Sequence, residues 1–186
     1  MDTDARILMD ELRLDHRNMA VVLNIMDGLV EEMEGGKDPD FELLEEIMRY
    51  MTIYPDAVHH PKEDVMYEKL RVKRPDLAED LDHVPDDHRD IARLGSVLRS
   101  EVEAINAGAA VRRQKMIEDT AAYITRLHNH MLWEEEDLFS RIDLMLNAEP
   151  YMVDISTIEQ IKDPVFELEV EAGFRRLLNS LAVDNT

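Results

Sequence analysis

One pattern, written twice, constrains this chain more than any other feature. Asp15-His16-Arg17 opens the first copy; His59 lies 43 residues beyond His16, and Glu63 follows His59 by four. Asp87-His88-Arg89 opens the second; His130 lies 42 residues beyond His88, and Glu134 follows it by four. Residues four apart share one face of an α-helix, about 6 Å apart, so each copy presents an imidazole beside a carboxylate.

Composition places both copies on helices. The 186 residues are rich in Leu, Met, Glu, Ala and Arg, with only six glycines and seven prolines, and few stretches alternate with period two. This length fits one domain with a terminal appendage. With no cysteine, disulfides, thiolate zinc, iron-sulfur clusters and cysteine nucleophiles are excluded. A formal charge of -21 makes nucleic acid and anionic membranes poor partners. The acidity suits cation binding, although a solvated surface is its ordinary meaning. The opening residues lack a basic n-region with an apolar core, and no apolar run approaches a membrane span of about 20 residues, so a soluble cytoplasmic protein is expected.

Helical periodicity locates four long segments. The first spans about 5–34, closed by Gly35-Gly36; its apolar positions Leu8, Leu12, Met19, Leu23, Met26, Val30 and Met33 leave one gap, filled by His16. An imidazole on a buried stripe needs a hydrogen bond or a metal. The second starts near Phe41 and contains Pro55 and Pro61. Each removes an amide donor and crowds the preceding turn, which predicts a kink or bulge over about 54–61. No proline stands at the matching place in the second copy, so divergence of the halves is expected in the first copy, around His60. The third segment ends at Asn106-Ala107-Gly108, with His88, Ile91, Gly95, Leu98, Val102 and Ile105 inward; the fourth, about 109–147, carries Met116, Tyr123, Leu127, His130, Glu134 and Leu138 inward. A last helix over about 164–181 presents Phe166, Val170, Phe174, Leu177 and Leu178, suited to capping the bundle or to a homodimer contact.

The expected fold is therefore all-α: an antiparallel four-helix bundle of two duplicated hairpins over residues 1–147, then an extension, 148–186, with one helix. Pseudo-twofold packing brings His16, His59, Glu63, His88, His130 and Glu134 to one level of the core. Two buried glutamates would each carry a desolvation penalty of several kcal/mol, roughly, without a cation. Imidazoles and carboxylates without sulfur suit iron, manganese or zinc. Two carboxylates between two histidine groups favour two metals bridged by Glu63 and Glu134, and iron is preferred because di-iron centres recur in helical bundles. Ferritin-like sites use Glu-x-x-His, which is not duplicated here: Asp56 and Leu127 stand three before His59 and His130.

These residues, together with the acidic-then-Leu-Phe run from Glu134 to Phe139, resemble the hemerythrin-like (HHE cation-binding) family over about residues 5–147. The resemblance implies a non-haem di-iron centre that meets O2, NO or peroxide. In oxygen-carrying relatives the carboxylate stands five after the last histidine, which points to Glu135, and a second histidine lies on the third helix, where His83 is the candidate. His83 is about 140° around a regular helix from His88, so only a distortion at Pro85 brings both inward. His60, adjacent to His59, is a further ligand candidate if Pro61 distorts the helix. Tyr54, one turn earlier, is a phenol donor to the site or a core residue. His128 should face away from the core. Two functions compete: a binding or sensing protein for O2 or NO, and a di-iron redox enzyme acting on peroxide or O2, with an iron-handling or stress-response role as a variant. No substrate motif adds a specific reaction.

Overall fold

The computed structural model describes residues 2–158, 161–166 and 172–184. α1 (Ala5–Glu34) is a single 30-residue helix whose start is capped by the Asp4 carboxylate, which accepts from the Arg6 amide at 2.8 Å. It closes at Gly36, where φ of 82° lets the chain turn while the Gly36 and Lys37 amides bond back to Met33 and Glu32. Gly108, with φ of 94°, closes the third long helix in the same way.

The second rod is α2 (Phe41–Tyr54), a π-helical turn over Pro55–His59, and α3 (His60–Lys73). The two prolines thus produce a bulge, not a break. Two short 3-10 turns lead to α4 (Val84–Asn106), which accepts Pro85 because a proline in the first helical turn has no amide bond to lose. The fourth rod is α5 (Arg113–Trp133), a second π turn over Glu134–Leu138, and α6 (Phe139–Ala148).

That second π turn corrects the expectation that only the first copy is distorted. Its cause is the spacing of the inward residues. His130, Glu134, Leu138, Ile142 and Leu146 are all buried and each is four from the last. Steps of four drift about 40° per turn on a regular α-helix, and a wider π turn absorbs the drift so that all five stay inward.

The four rods bury two separate apolar sections. One contains Met19 to Met33 of α1 with the facing parts of α2, α4 and α5; the other contains Leu8 to Leu12 of α1 with Met66, Tyr67, Leu70, Leu138, Phe139 and Ile142. The duplicated histidines and glutamates occupy the level between them. Gly95 lets α4 approach closely: a Cβ there would lie 3.0 Å from both Thr52 Cγ2 and the Tyr123 ring.

Two features of the ends lie outside the helical expectation. β1 (Asp2–Asp4) pairs antiparallel with β2 (Met152–Asp154), Thr3 opposite Val153, and so ties the segment after α6 to the start of α1. The last helix, α7, spans Arg175–Asp184, shorter than the 164–181 read from apolar spacing. Residues 164–166 form a turn, because the Asp163 carboxylate captures the Val165 and Phe166 amides at 2.8 and 2.9 Å. Phe174 and Leu177 are buried against the bundle, Leu178 is exposed, and Val170 lies outside the described residues. Glu46 of α2 receives the Arg176 and Leu177 amides, which fixes α7 to the same chain's α2.

Gly28 and Gly95 should respond oppositely to substitution. Gly28→Ala, in a helix interior with nothing within 4 Å of the new Cβ, should raise stability in urea denaturation by about 0.5–1 kcal/mol. Gly95→Leu should lower it by about 1–3 kcal/mol through overpacking.

Candidate metal centre

Each rod delivers its polar residues to the level between the two apolar sections. α1 contributes His16, the π turn and α3 contribute His59, His60 and Glu63, α4 contributes His88, and the fourth rod contributes His130 and Glu134. All are buried apart from His88, whose side chain is 12% exposed, and Glu63 and Glu134 are 0% exposed. The sequence-derived set of six is therefore brought together in full.

The imidazoles point one nitrogen inward. His59 Nε2 is 3.0 Å from Glu63 Oε1, and His130 Nε2 is 3.3 Å from Glu134 Oε2. His16 Nε2 sits between both carboxylates, 3.6 Å from Glu63 and 3.5 Å from Glu134; His88 Nε2 does likewise at 3.5 and 3.9 Å. Three groups of donors lie within 4.8 Å of one another: His16, His59 and Glu63; His60, Glu63 and His88; and His88, His130 and Glu134.

Close as these atoms are, they do not satisfy one another. His16 Nε2, both Glu63 oxygens, His88 Nε2, His130 Nε2 and Glu134 Oε2 are buried without a hydrogen-bond partner among the described residues. Buried polar groups are almost always paired, so an unpaired cluster calls for an explanation. Atoms 3 to 4 Å apart yet misaligned for mutual hydrogen bonds are aimed at shared third points. Donors around cations with bonds of about 2 Å show this spacing. The residues present fit metal ions.

The electrostatics agree. Burial alone would lower the His59 imidazole, but Glu63 and Asp15 outweigh it and hold its pKa up at about 10. His16 is also raised, Glu135 and Glu63 overcoming its burial. Burial wins at His130, which is pushed down to about 4. Glu63, despite burial, is kept well below the usual carboxylate range by His59 and His16. Charge around Glu63 thus favours a positive partner, while burial leaves the His130 ring neutral.

The outer nitrogens have their own partners. His16 Nδ1 is 3.1 Å from Glu135, and His59 Nδ1 is 3.3 Å from Asp15. Glu135 therefore stands behind His16, outside the cluster. Tyr54 is also outside: its hydroxyl donates to Asp15 at 3.1 Å. His60 does enter, because the π turn swings it onto the His88 ring at 3.9 Å between centroids, with Asp56 3.2 Å from its Nδ1. His83 does not. It lies in the 3-10 turn before α4, exposed, its ring 5.1 Å from that of Trp133, so the turn at Pro85 fails to carry it inward. His128 is exposed as expected.

Three contributors escaped the sequence reading. Tyr67 donates its hydroxyl to Glu134 Oε1 at 2.7 Å, and burial keeps that phenol protonated; the available signal was its place four residues after Glu63. Phe139 stacks on His16 at 5.1 Å. Asp15 was visible as part of a repeated Asp-His pair, but only the packing of α1 on the second rod shows which ring it serves.

The family model described as Hemerythrin HHE cation binding domain matches residues 8–142. No curated protein and no solved structure matches the chain.

Tyr67→Phe should leave Glu134 Oε1 without its donor and lower stability by about 1–3 kcal/mol in chemical denaturation of the protein after chelator treatment. An unchanged midpoint would show that this oxygen is satisfied otherwise.

Proposed function

The chain belongs to the hemerythrin HHE cation-binding family, and from that premise we propose that it is a non-haem di-iron protein that binds or senses O2 or NO. The observation that carries this reading is the sharing of Glu63 and His88 among the three donor groups. Shared donors suit two adjacent ions better than one.

In this reading His16, His59 and Glu63 would hold iron on one side of the layer, and His88, His130 and Glu134 would hold it on the other, with His60 beside His88. A mixed nitrogen and oxygen set of this kind suits iron, with manganese or zinc as weaker alternatives. Iron held here would supply a ferrous–ferric couple for chemistry with a small diatomic molecule. The protein's own part is to exclude water and hold the imidazoles in place. Apolar sections above and below the layer do the first, and the outer carboxylates and the Phe139 ring do the second. A cleft of about 320 Å³ between α1 and α5, lined by His16, Arg17, Ala20, Met131 and Glu135, leads from the surface to the His16 ring. It supports access by a small ligand.

One observation favours a second reading, a redox enzyme acting on peroxide or O2. The Tyr67 hydroxyl beside Glu134 places a protonated donor at the edge of the layer, where oxygen reduction needs protons. Among the described residues no helix is long and apolar enough to cross a membrane. A cytoplasmic site of action and a homodimer remain part of the proposal.

Metal analysis should find about two irons per chain, as in carboxylate-bridged bundle proteins, and both His130→Ala and Glu134→Ala should abolish the dinuclear optical spectrum. Near-normal iron content in both variants would refute the assignment. Reduced protein mixed with O2, and in a separate sample with peroxide, then separates the two functions: a long-lived visible band with O2 means binding, whereas oxidation without such a band and catalytic consumption of the added peroxide mean turnover.

A further inference from the structure

The duplicated pattern carries a fourth residue in each copy, the aspartate immediately before the early histidine. Because that histidine points into the bundle, the preceding aspartate turns toward the neighbouring rod. Asp15 of α1 thereby reaches His59, and Asp87 of α4 reaches His130. Each copy of the Asp-His pair thus contributes one imidazole to the layer and turns one carboxylate toward the next rod's imidazole, but only Asp15 comes within hydrogen-bond reach of it.

The two aspartates are not equivalent in what they do there. Asp15 is buried, and its Oδ2 lies 3.3 Å from His59 Nδ1, within hydrogen-bond reach. Its other oxygen is held by the Tyr54 hydroxyl at 3.1 Å, and Lys62 Nζ lies 3.4 Å from Oδ2. These contacts fix the carboxylate in position on the His59 ring. Asp87 is instead drawn to Arg126, 2.5 Å from its Nη2, and lies 3.7 Å from His130 Nδ1. That distance is not a hydrogen bond, and His130 Nδ1 is one of the buried atoms with no partner among the described residues.

We infer that Asp15 is a positioning residue that makes the His16/His59 half of the centre the tighter-binding half, and that Asp87 performs no equal service for the His88/His130 half. The physical basis is general. A carboxylate accepting the outer N–H of an imidazole fixes its tautomer and orientation and raises its strength as a donor, and loss of such a partner typically weakens metal binding roughly 10- to 100-fold. The inference rests on the metal reading of the layer given above. It adds an order of filling that the ligand set alone does not imply, since His60 gives the other half an additional imidazole and the order is set instead by the carboxylate behind His59.

The test is a cobalt(II) titration of the chelator-treated full chain, following the visible d–d bands, with wild type, Asp15→Asn and Asp87→Asn in parallel. Wild type should fill in two steps. Asp15→Asn should weaken the first step by roughly 10- to 100-fold and shift the band of the first equivalent, while Asp87→Asn leaves both steps and the band unchanged. A general loss of packing does not move the band position of the metal that still binds. Equal weakening in the two variants, or two unchanged steps in Asp15→Asn, would overturn the inference while leaving the metal reading intact. Wild-type protein that takes up no cobalt overturns both. Should Asp15→Asn fail to fold, zinc-loaded wild type decides: the His59 Nδ1–H proton should resonate downfield of that of His130, and coincident or reversed shifts count against the inference.

Discussion

Two carboxylates with no exposed surface, Glu63 and Glu134, govern this structure. Moving a carboxylate out of water costs several kcal/mol, roughly, even after relaxation, and Tyr67 alone, bonded to a single Glu134 oxygen, offsets little of that. The rest must come from positive charge at the same level. Five inward histidines around the two glutamates offer donor atoms to cations and, failing those, proton-binding sites. The apolar sections on either side leave the layer no alternative source of solvation.

Both long rods that carry a glutamate contain a π turn, and the inward spacing explains the one that begins at Glu134. A His-x-x-x-Glu pair steps slightly ahead of the α-helical repeat, and the inward residues beyond it must still face the core. In the first copy the prolines assist, and the turn brings His60 onto His88. In the second the turn follows Trp133 and restores Leu138, Phe139 and Ile142 to the interior. Duplication has thus conserved the ligands' spacing while the bulges fall on opposite sides of them, before Glu63 in one rod and from Glu134 onward in the other.

Beyond the layer, a line of polar contacts joins the centre to the C-terminal segment. His59 contacts Asp15, Asp15 accepts from Tyr54, the Tyr54 ring stacks on Tyr50 at 5.7 Å, and Tyr50 donates to the buried Asp163 at 2.9 Å. The segment after α6 is therefore packed against the face of the bundle that supports His59. The β1–β2 pairing and α7 secure its two ends.

The fold class and the six inward polar residues were legible in the sequence because both depend on local period. An apolar stripe carrying an early histidine, followed 43 residues later in one copy and 42 in the other by a His-x-x-x-Glu pair, leaves an antiparallel bundle as the arrangement that buries the stripes and gathers the polar residues. Tertiary packing alone decided the rest. His60 joined the cluster and His83 did not because a π turn widened one helix while a 3-10 turn left the other residue outside. Glu135 and Tyr54 took places behind the cluster because helix rotation, fixed by contacts with neighbouring rods, turned them outward. Asp15 met His59 while Asp87 was held by Arg126 because a guanidinium stands four residues before His130 where Pro55 stands four before His59. Periodicity states which face a residue occupies; which atom stands opposite it depends on how closely the helices approach.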